Sequence, residues 1–364
     1  MDKQTLLNSR YRIEERIGSG GMADVYRARD LMLERTVAIK ILREDLSSSS
    51  TFRERFRQEA RSAANLSHPS IVTIHDFGLD EGKLFLVMEY IAGADLKSLL
   101  QSRGRFTVDE ALPLLIQACA GLGYAHRAGV IHCDVKPHNM IVTPDSQLKI
   151  TDFGIARALS TLQPSPQPDV VWGSPQYFSP EQAAGQTLSP ATDVYSLGVV
   201  MFELLTGRLP FDAPTAAELS LLHRTAPPPA PRRLNPAISP ALEKILLKVL
   251  AKEPTARYRT ADQFGRVLMS ANPSTASPLL DTTMPARRPM PGQPAPLSPP
   301  AAGYPAPRPP AVKPPAAISS NLPQSSPLDI DWITWGLALL ALIAVGGLIP
   351  LWLWVYLLYF PTTP

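Results

Sequence analysis

A short run of polar residues between positions 130 and 154 holds the side chains best suited to chemistry. Asp134 stands five residues before Asn139, and Asp152 follows Asn139 by thirteen residues. A carboxylate can orient an attacking hydroxyl group, and Mg²⁺ accepts carboxylate and amide oxygens beside phosphate and water oxygens. Two carboxylates and one amide at this spacing therefore indicate the transfer of a phosphoryl group.

The residues around these three side chains strengthen that interpretation. Residues 132–139 read His-Cys-Asp-Val-Lys-Pro-His-Asn, and residues 152–154 read Asp-Phe-Gly. His-x-Asp or Asp-Phe-Gly alone can arise by chance, but the two together in this order rarely do. The run resembles the catalytic loop and metal-binding segment of protein kinases. It is most similar to the bacterial eukaryotic-like (Hanks-type) serine/threonine kinases.

This resemblance implies an α+β fold over residues 11–270, with a β-rich N-terminal lobe and a helical C-terminal lobe. Mg-ATP would bind between the lobes, with Mn²⁺ as an alternative metal. The implied activity is transfer of the γ-phosphate of ATP to Ser or Thr hydroxyls of proteins. Asp134 would orient the hydroxyl, and Lys136 would neutralise charge on the γ-phosphate. Asn139 and Asp152 would hold the metal.

Two strands joined by glycines are predicted near the start of the chain. Residues 11–17 alternate partly between polar and apolar side chains, and a glycine-rich run at residues 18–26 leads into a second strand. Glycines let backbone N–H groups approach phosphate oxygens. Ala23 stands where the Gly-x-Gly-x-x-Gly pattern has its third glycine, so an ordinary hairpin is the alternative. The nucleotide contacts implied here are Ile17, Gly18, Ser19, Gly20, Gly21 and Val25.

A β-branched strand at residues 36–41 carries a single lysine, Lys40. Taken alone, this lysine could be a solubilising charge on an edge strand. In the resemblance it holds the α- and β-phosphates and pairs with a glutamate on the next helix. The apolar period predicts that helix at residues 52–65. Glu59 occupies the family's place for the glutamate, and Glu54 is the competing residue.

Two further strands are predicted at residues 71–77 and 83–90, the second of them almost wholly apolar. The resemblance places the adenine site at the end of this second strand. Met88 would be the gatekeeper, and the backbone of Glu89 to Ile91 would be the hinge that reads the adenine edge. The residues implied around adenine are Ala38, Met88, Glu89, Ile91 and Ile141.

Several residues of the helical lobe are predicted to act as scaffold. Thr107 is expected to cap a helix that runs to about residue 128. By resemblance, Glu181 and Arg257 form a buried ion pair, and Asp193, at the start of an apolar helix to residue 205, bonds the catalytic-loop backbone. The same resemblance places Ser174 against the catalytic Asp and Lys. His126 and His132 are interpreted as structural residues.

Cys133 departs from the family pattern. Most regulated kinases have an arginine there, which binds a phosphorylated activation loop, and cysteine cannot do this. The activation loop is predicted at residues 155–171, where Ser160, Thr161 and Ser165 are the candidate phosphorylation sites. We expect that phosphorylation of these hydroxyls does not switch the protein in the usual way.

The composition changes after residue 270. Residues 273–327 contain 17 prolines in 55 positions, so residues 271–331 predict a disordered spacer without a core. Residues 332–360 contain no charged side chain, and Trp flanks the first end while Trp and Tyr flank the second. As a helix this run is about 43 Å long, enough to cross a hydrocarbon core of about 30 Å. We predict a single-pass membrane anchor with the kinase lobe cytoplasmic and the C-terminus outside.

Bulk composition narrows the set of partners. A net charge of +3 gives no case for nucleic acid, and two cysteines exclude a disulfide framework. The first ten residues are polar, so no signal peptide is expected. The predicted partners are protein substrates with Ser or Thr, ATP and the lipid bilayer, and self-association is left open.

Two other function classes remain as alternatives. One is a nucleotide-binding pseudokinase that acts as a membrane scaffold, although the intact set of catalytic residue types argues against it. The other is a tether whose Pro-rich segment recruits proteins.

Overall fold

The computed structural model of the 364-residue chain describes residues 6–21, 23–44, 50–153 and 174–271. Within these residues a β-sheet lobe is followed by a helical lobe. The predicted activation loop at 155–171, and the spacer and membrane helix predicted beyond residue 271, lie outside the described residues. Across the described ranges, no helix is both long and apolar enough to cross a membrane.

The N-terminal lobe is built on one antiparallel sheet with strand order β1-β2-β3-β4-β6-β5. Strands were predicted at residues 11–17, 36–41 and 83–90, and all three form. The register pairs Ala38 with Met88, so two of the predicted adenine contacts stand side by side. The strands are β1 Leu6–Leu7, β2 Tyr11–Ser19, β3 Ala23–Asp30, β4 Arg35–Leu42, β5 Ile74–Asp80 and β6 Lys83–Glu89.

Helix α1, Ser50–Ala64, covers one face of this sheet. The apolar period that predicted a helix at residues 52–65 is confirmed, because Phe52, Phe56 and Ala60 are buried against strand residues of the sheet. The helix carries Glu59 as a half-buried residue. Helix α1 thus brings the predicted partner of Lys40 into the nucleotide lobe.

Strand β5 begins at Ile74, three residues later than the predicted start at residue 71. Ile71 instead forms a parallel bridge to Ile150 of the other lobe. The backbone N–H of Val72 donates to the Ile150 carbonyl at 2.8 Å, and the N–H of Ile150 donates to the Ser70 carbonyl at 2.9 Å. The apolar run before β5 therefore joins the two lobes.

The C-terminal lobe packs around helix α5, Pro190–Thr206, which is buried along nearly its whole length. This helix starts three residues before the predicted Asp193, because Pro190 occupies its first turn after Ser189. It ends at Thr206, where Gly207 adopts a φ of 75°. The helices are α2 Leu96–Arg103, α3 Val108–Arg127, α4 Pro180–Ala183, α5 Pro190–Thr206, α6 Ala216–Thr225, α7 Pro231–Leu234, α8 Pro240–Val249 and α9 Ala261–Ala271.

Candidate functional site

A small three-stranded sheet places the two predicted metal ligands. Its strands are β7 Ala94–Asp95, β8 Met140–Val142 and β9 Leu148–Ile150, and β8 and β9 form an antiparallel pair. Asn139 directly precedes β8, and Asp152 follows β9 by two residues. The N–H of Thr151 donates to the Asn139 carbonyl at 3.0 Å. Residues thirteen apart in sequence are therefore brought to the same end of one hairpin.

Asp134 lies at the centre of a group of polar side chains. Lys136 Nζ is 2.7 Å from Asp134 Oδ2 and 3.2 Å from the hydroxyl of Ser174. Asn139 Nδ2 donates to Asp134 Oδ2 at 3.1 Å and to its backbone carbonyl at 2.9 Å. The predicted contact between Lys136 and Ser174 is confirmed. The structure thus brings a carboxylate, an ammonium, an amide and a hydroxyl together.

The oxygen atoms of Asn139 and Asp152 are suitable ligands for a divalent cation. Both hydrogen bonds from Asn139 to Asp134 use the amide nitrogen, which leaves the amide oxygen to face a metal. The second predicted ligand, Asp152, is kept ionised. Burial, the largest influence, disfavours its charged form, but Lys40, with smaller help from Lys136 and other nearby groups, outweighs burial, so the pKa of Asp152 lies below its usual value. Oxygen ligands of this kind suit Mg²⁺.

Lys40 Nζ lies 2.8 Å from Asp152 Oδ1. This ion pair differs from the predicted pairing of Lys40 with Glu59, which remains a prediction. The contact joins strand β4 of the first lobe to the end of the hairpin formed by β8 and β9. The lysine predicted to hold phosphates and the carboxylate predicted to hold metal are therefore neighbours.

Asp193 fixes the backbone of the catalytic loop. Its carboxylate accepts the N–H groups of His132 and Cys133, each at 2.9 Å, as the resemblance implied. His126 Nε2 lies 2.8 Å from the same carboxylate, in agreement with a structural role. Since Asp193 is fully buried at the start of α5, it anchors the loop to the core of the lobe.

His132 is also structural, as predicted. The side chain is fully buried. Its Nε2 lies 2.9 Å from the Thr151 carbonyl, and its Nδ1 accepts the N–H of Asp134 at 3.2 Å. These partners require the proton on Nε2. Because both ring nitrogens are engaged, His132 is held between the catalytic loop and the segment before Asp152.

Some of the residues predicted around adenine lie together in one apolar cluster. Ala38 and Met88 are buried together with Val72, and Val25 and Ile91 pack against them. Sequence reasoning did not include Val72, whose run was assigned to a strand. Ile141 is half-buried on β8. The Glu89 carboxylate accepts the N–H of Thr73 at 2.7 Å and pairs with Lys149 at 2.8 Å.

The packing around the glycine-rich turn explains why alanine replaces the third glycine of the pattern. Ala23 is buried with residues of β4, β6 and α1, so its methyl group fills the core beneath the sheet. The N–H of Gly20 donates to the Ala23 carbonyl at 3.0 Å. Ile17, Gly18 and Ser19 lie at the end of β2, with Ile17 exposed. The strand–turn–strand arrangement is the one predicted.

The ion pair between Glu181 and Arg257 is confirmed. The guanidinium donates to both carboxylate oxygens, at 2.8 and 2.9 Å, and both side chains are buried. Burial, the largest influence, disfavours the charged form of Glu181, but Arg257, together with hydrogen bonds from Thr192 and the Glu181 backbone, outweighs burial and keeps the pKa of Glu181 below its usual value. The pair fixes α4, which follows the segment carrying Ser174.

Sequence reasoning missed one residue of this segment, Gln182. Its side chain donates to the carbonyl of Cys133 at 2.7 Å. The pattern Ser179-x-x-Gln182 is the signature of a capping box, and that box forms. The signal was therefore visible locally, but nothing in the sequence linked it to the catalytic loop.

Comparison with known proteins agrees with this geometry. Residues 11–266 match the family model described as the protein kinase domain. The chain is 44% identical over 256 residues to the serine/threonine-protein kinase PrkC of Bacillus subtilis, which covers 70% of this chain and 39% of PrkC. It is 41% identical over 294 residues to the serine/threonine-protein kinase PknA of Mycobacterium tuberculosis, covering 79% of this chain and 66% of PknA. The match thus spans about two fifths of PrkC and just under two thirds of PknA.

A solved structure shows the same fold. The kinase domain of Mycobacterium tuberculosis PknI matches with a TM-score of 0.61 at 26% identity, covering 75% of this chain and all of that domain. The family model alone covers more than half of the chain. The chain therefore belongs to the protein kinase family, and its domain is of the bacterial Hanks type.

Proposed function

We propose that this protein is a serine/threonine protein kinase that uses Mg-ATP. The observation that carries the proposal is the convergence of Asp134, Lys136, Asn139 and Ser174 on one another through contacts of 2.7 to 3.2 Å. The lysine two residues after the catalytic aspartate is the serine/threonine form of the loop. The names of the relatives PrkC and PknA support the same substrate class.

Each side chain has a defined part in the proposed reaction. A bond forms between the substrate hydroxyl oxygen and the γ-phosphorus, and the bond to the β-phosphate oxygen breaks. Asp134 orients the hydroxyl and receives its proton, while Lys136 offsets negative charge on the γ-phosphate. Asn139 and Asp152 supply oxygen ligands to the divalent cation, which neutralises phosphate charge when it is bound. Lys40 positions the phosphates.

The test compares the full chain with its Lys40→Met variant, using Mg-ATP and a general basic acceptor protein. We expect label on Ser or Thr of the acceptor with the native chain. The variant should be slower by about a hundredfold or more, because it lacks the ammonium that stabilises the phosphates.

Phosphoamino-acid analysis identifies the residue type that receives the phosphate, and calorimetry measures whether each protein binds ATP. Lys83→Met is the matched control, since Lys83 is exposed on β6. A native chain that binds ATP but transfers no phosphate would instead support the pseudokinase scaffold.

We further propose that residues 332–360 anchor the protein to the membrane. The support comes from the sequence: 29 positions without a charged side chain, and aromatic residues at both ends. The kinase domain would then face the cytosol, where ATP is available, and residues 361–364 would lie outside. Residues 271–331 would serve as the spacer between domain and bilayer.

Removing the anchor should release the protein. The full chain is expected to sediment with membranes and resist extraction by carbonate, whereas a chain ending at residue 331 should stay in the supernatant. The reason is that burying about 20 apolar residues in a bilayer is effectively irreversible. Immunoblotting of both fractions measures the distribution. Equal sedimentation of the two proteins would refute the anchor.

A further inference from the structure

The peptide unit between Cys133 and Asp134 sets the direction of the catalytic carboxylate. Its plane fixes ψ of Cys133 and φ of Asp134. Cys133 has a φ of 66°, a region that residues with a Cβ adopt rarely. Such a conformation persists only when surrounding contacts hold it. The contacts on this peptide unit therefore set the direction in which the Asp134 side chain leaves the backbone.

Both polar groups of that peptide unit are bonded. The N–H of Asp134 donates to His132 Nδ1 at 3.2 Å, within the loop itself. The carbonyl of Cys133 accepts from Gln182 Nε2 at 2.7 Å. The second bond is the shorter of the two, and it comes from a residue 49 positions away in sequence. Gln182 thus holds the peptide plane from outside the catalytic loop.

The amide of Gln182 is itself held in one orientation. Its Oε1 accepts the N–H of Ser179 at 3.0 Å. A backbone N–H can only donate and a carbonyl can only accept, so these two partners assign the oxygen and nitrogen of the amide without ambiguity. Helix α4, which carries Gln182, is anchored by the buried pair of Glu181 and Arg257. The donor is therefore fixed relative to the core of the lobe.

We propose that Gln182 is a positioning residue for phosphoryl transfer, whose side-chain amide joins the segment after Ser174 to the peptide plane that orients Asp134. This inference rests on the proposed kinase function. Ser174 contacts Lys136, and five residues later Ser179 orders the Gln182 amide. The segment that carries Ser174 is consequently coupled to the peptide unit before Asp134 through hydrogen bonds between uncharged groups. Cys133 takes part in that coupling through its backbone.

The sharpest test is Gln182→Glu in the full chain near neutral pH. Glutamate keeps the oxygen that accepts from Ser179 and preserves the capping box. It has no proton to donate to the Cys133 carbonyl. We expect kcat to fall about tenfold, as for one ordinary hydrogen bond withdrawn from the reactive conformation. The KM for ATP should stay within about twofold, because the nucleotide contacts are untouched.

Two further variants make the result decisive. Gln182→Ala removes the donor without adding charge, and with it the oxygen that accepts from Ser179, so kcat should fall at least as much as in Gln182→Glu. Gln186→Glu adds the same charge at an exposed position just after α4 and should behave as the native chain. Steady-state kinetics with peptide and ATP varied separately, together with thermal unfolding, give kcat, both KM values and Tm. If Gln182→Glu does not fold, Gln182→Ala is read instead: a native kcat overturns the inference, whereas a fall in kcat with native Tm and an unchanged KM for ATP supports it.

The outcomes separate this inference from the proposed function. Native kcat in Gln182→Glu would show that only the cap matters and would overturn the inference, while leaving the kinase function intact. A loss confined to the glutamate variant would trace to charge and would overturn it as well. A fall in kcat for both Gln182 variants, with the KM for ATP unchanged, supports it. An inactive native chain would instead refute the kinase function on which it rests.

Discussion

Asp134→Asn should lower kcat about a thousandfold, because positioned proton acceptors contribute between about a hundredfold and ten-thousandfold to such reactions. Asparagine has the shape of aspartate but cannot take the proton of the substrate hydroxyl. The change also removes the carboxylate that lies 2.7 Å from Lys136. The Lys136 ammonium would keep its contact with the Ser174 hydroxyl, so the site should remain assembled while losing its acceptor.

Initial rates of phosphate transfer at saturating ATP and acceptor measure this effect. ATP binding and Tm are expected to stay near the native values, because Asp134 is not among the residues predicted to bind the nucleotide. Asp145→Asn is a matched control, since Asp145 is an exposed aspartate in the turn between β8 and β9. Near-native transfer by Asp134→Asn would refute the assigned role and the proposed mechanism with it.

Local patterns in the sequence were sufficient to predict many of the helices and strands. Thr107 and Glu110 form the capping box at the start of α3, and Asp95 caps α2 through a 2.9 Å bond to the N–H of Ser98. The apolar period of Phe52, Phe56 and Ala60 matched the face that α1 buries. The caps are made by contacts within a few residues, and the buried face of α1 follows from its apolar period, so local patterns predict both even though the partners of that face lie elsewhere in the sequence.

Long-range contacts divide into two kinds. Glu181 and Arg257 are 76 residues apart, and only the family resemblance implied that they pair. The parallel bridge between Ile71 and Ile150 left no local sign, since an apolar run before a strand is indistinguishable from the strand itself. The pairing of Lys40 with Asp152 likewise depends on how the two lobes meet. Tertiary contacts of this kind override local preference.

Backbone conformation was the least predictable property of the site. Cys133 and Asp152 both have positive φ, 66° and 67°, a region that few non-glycine residues adopt, although aspartate does so more often than cysteine. The bonds from Asp193 and Gln182 to the loop stabilise Cys133 in that state. Residue types therefore predicted which side chains do chemistry, but not the strained backbone that directs them.

Arg257→Met should destabilise the folded domain by about 3 to 5 kcal/mol, the usual loss when one partner of a buried ion pair is removed. The guanidinium donates to both Glu181 oxygens and also to the carbonyls of Ala191, Ala251 and Lys252. Without it the Glu181 carboxylate would stay buried without a cationic partner, held only by hydrogen bonds from the Thr192 hydroxyl and from its own backbone N–H. Helix α4, and with it Gln182, would lose its anchor.

Urea unfolding followed by circular dichroism at 222 nm measures the change. Arg259→Met, which removes an exposed arginine two residues further on, should alter the unfolding free energy by less than about 0.5 kcal/mol. The double variant Glu181→Gln with Arg257→Met should recover part of the loss, because an amide costs less to bury than a charge and can still accept from Thr192. Absence of that recovery would mean that Arg257 acts mainly through the three carbonyls.

The pH dependence separates the charge effect from a packing effect. In the native chain the pKa of Glu181 is lowered from its usual 4.5, so the pair contributes stability above that pH and loses it as the pH falls through the lower folded-state pKa. In Arg257→Met the cationic partner is gone, and burial, the largest influence on Glu181, raises the pKa of its carboxyl group against the hydrogen bonds that remain from Thr192 and the Glu181 backbone. Acidification from pH 7 should then protonate Glu181 in the folded variant and relieve its buried charge. The stability difference between the native chain and the variant should therefore shrink toward pH 5, whereas loss of packing alone would leave that difference independent of pH.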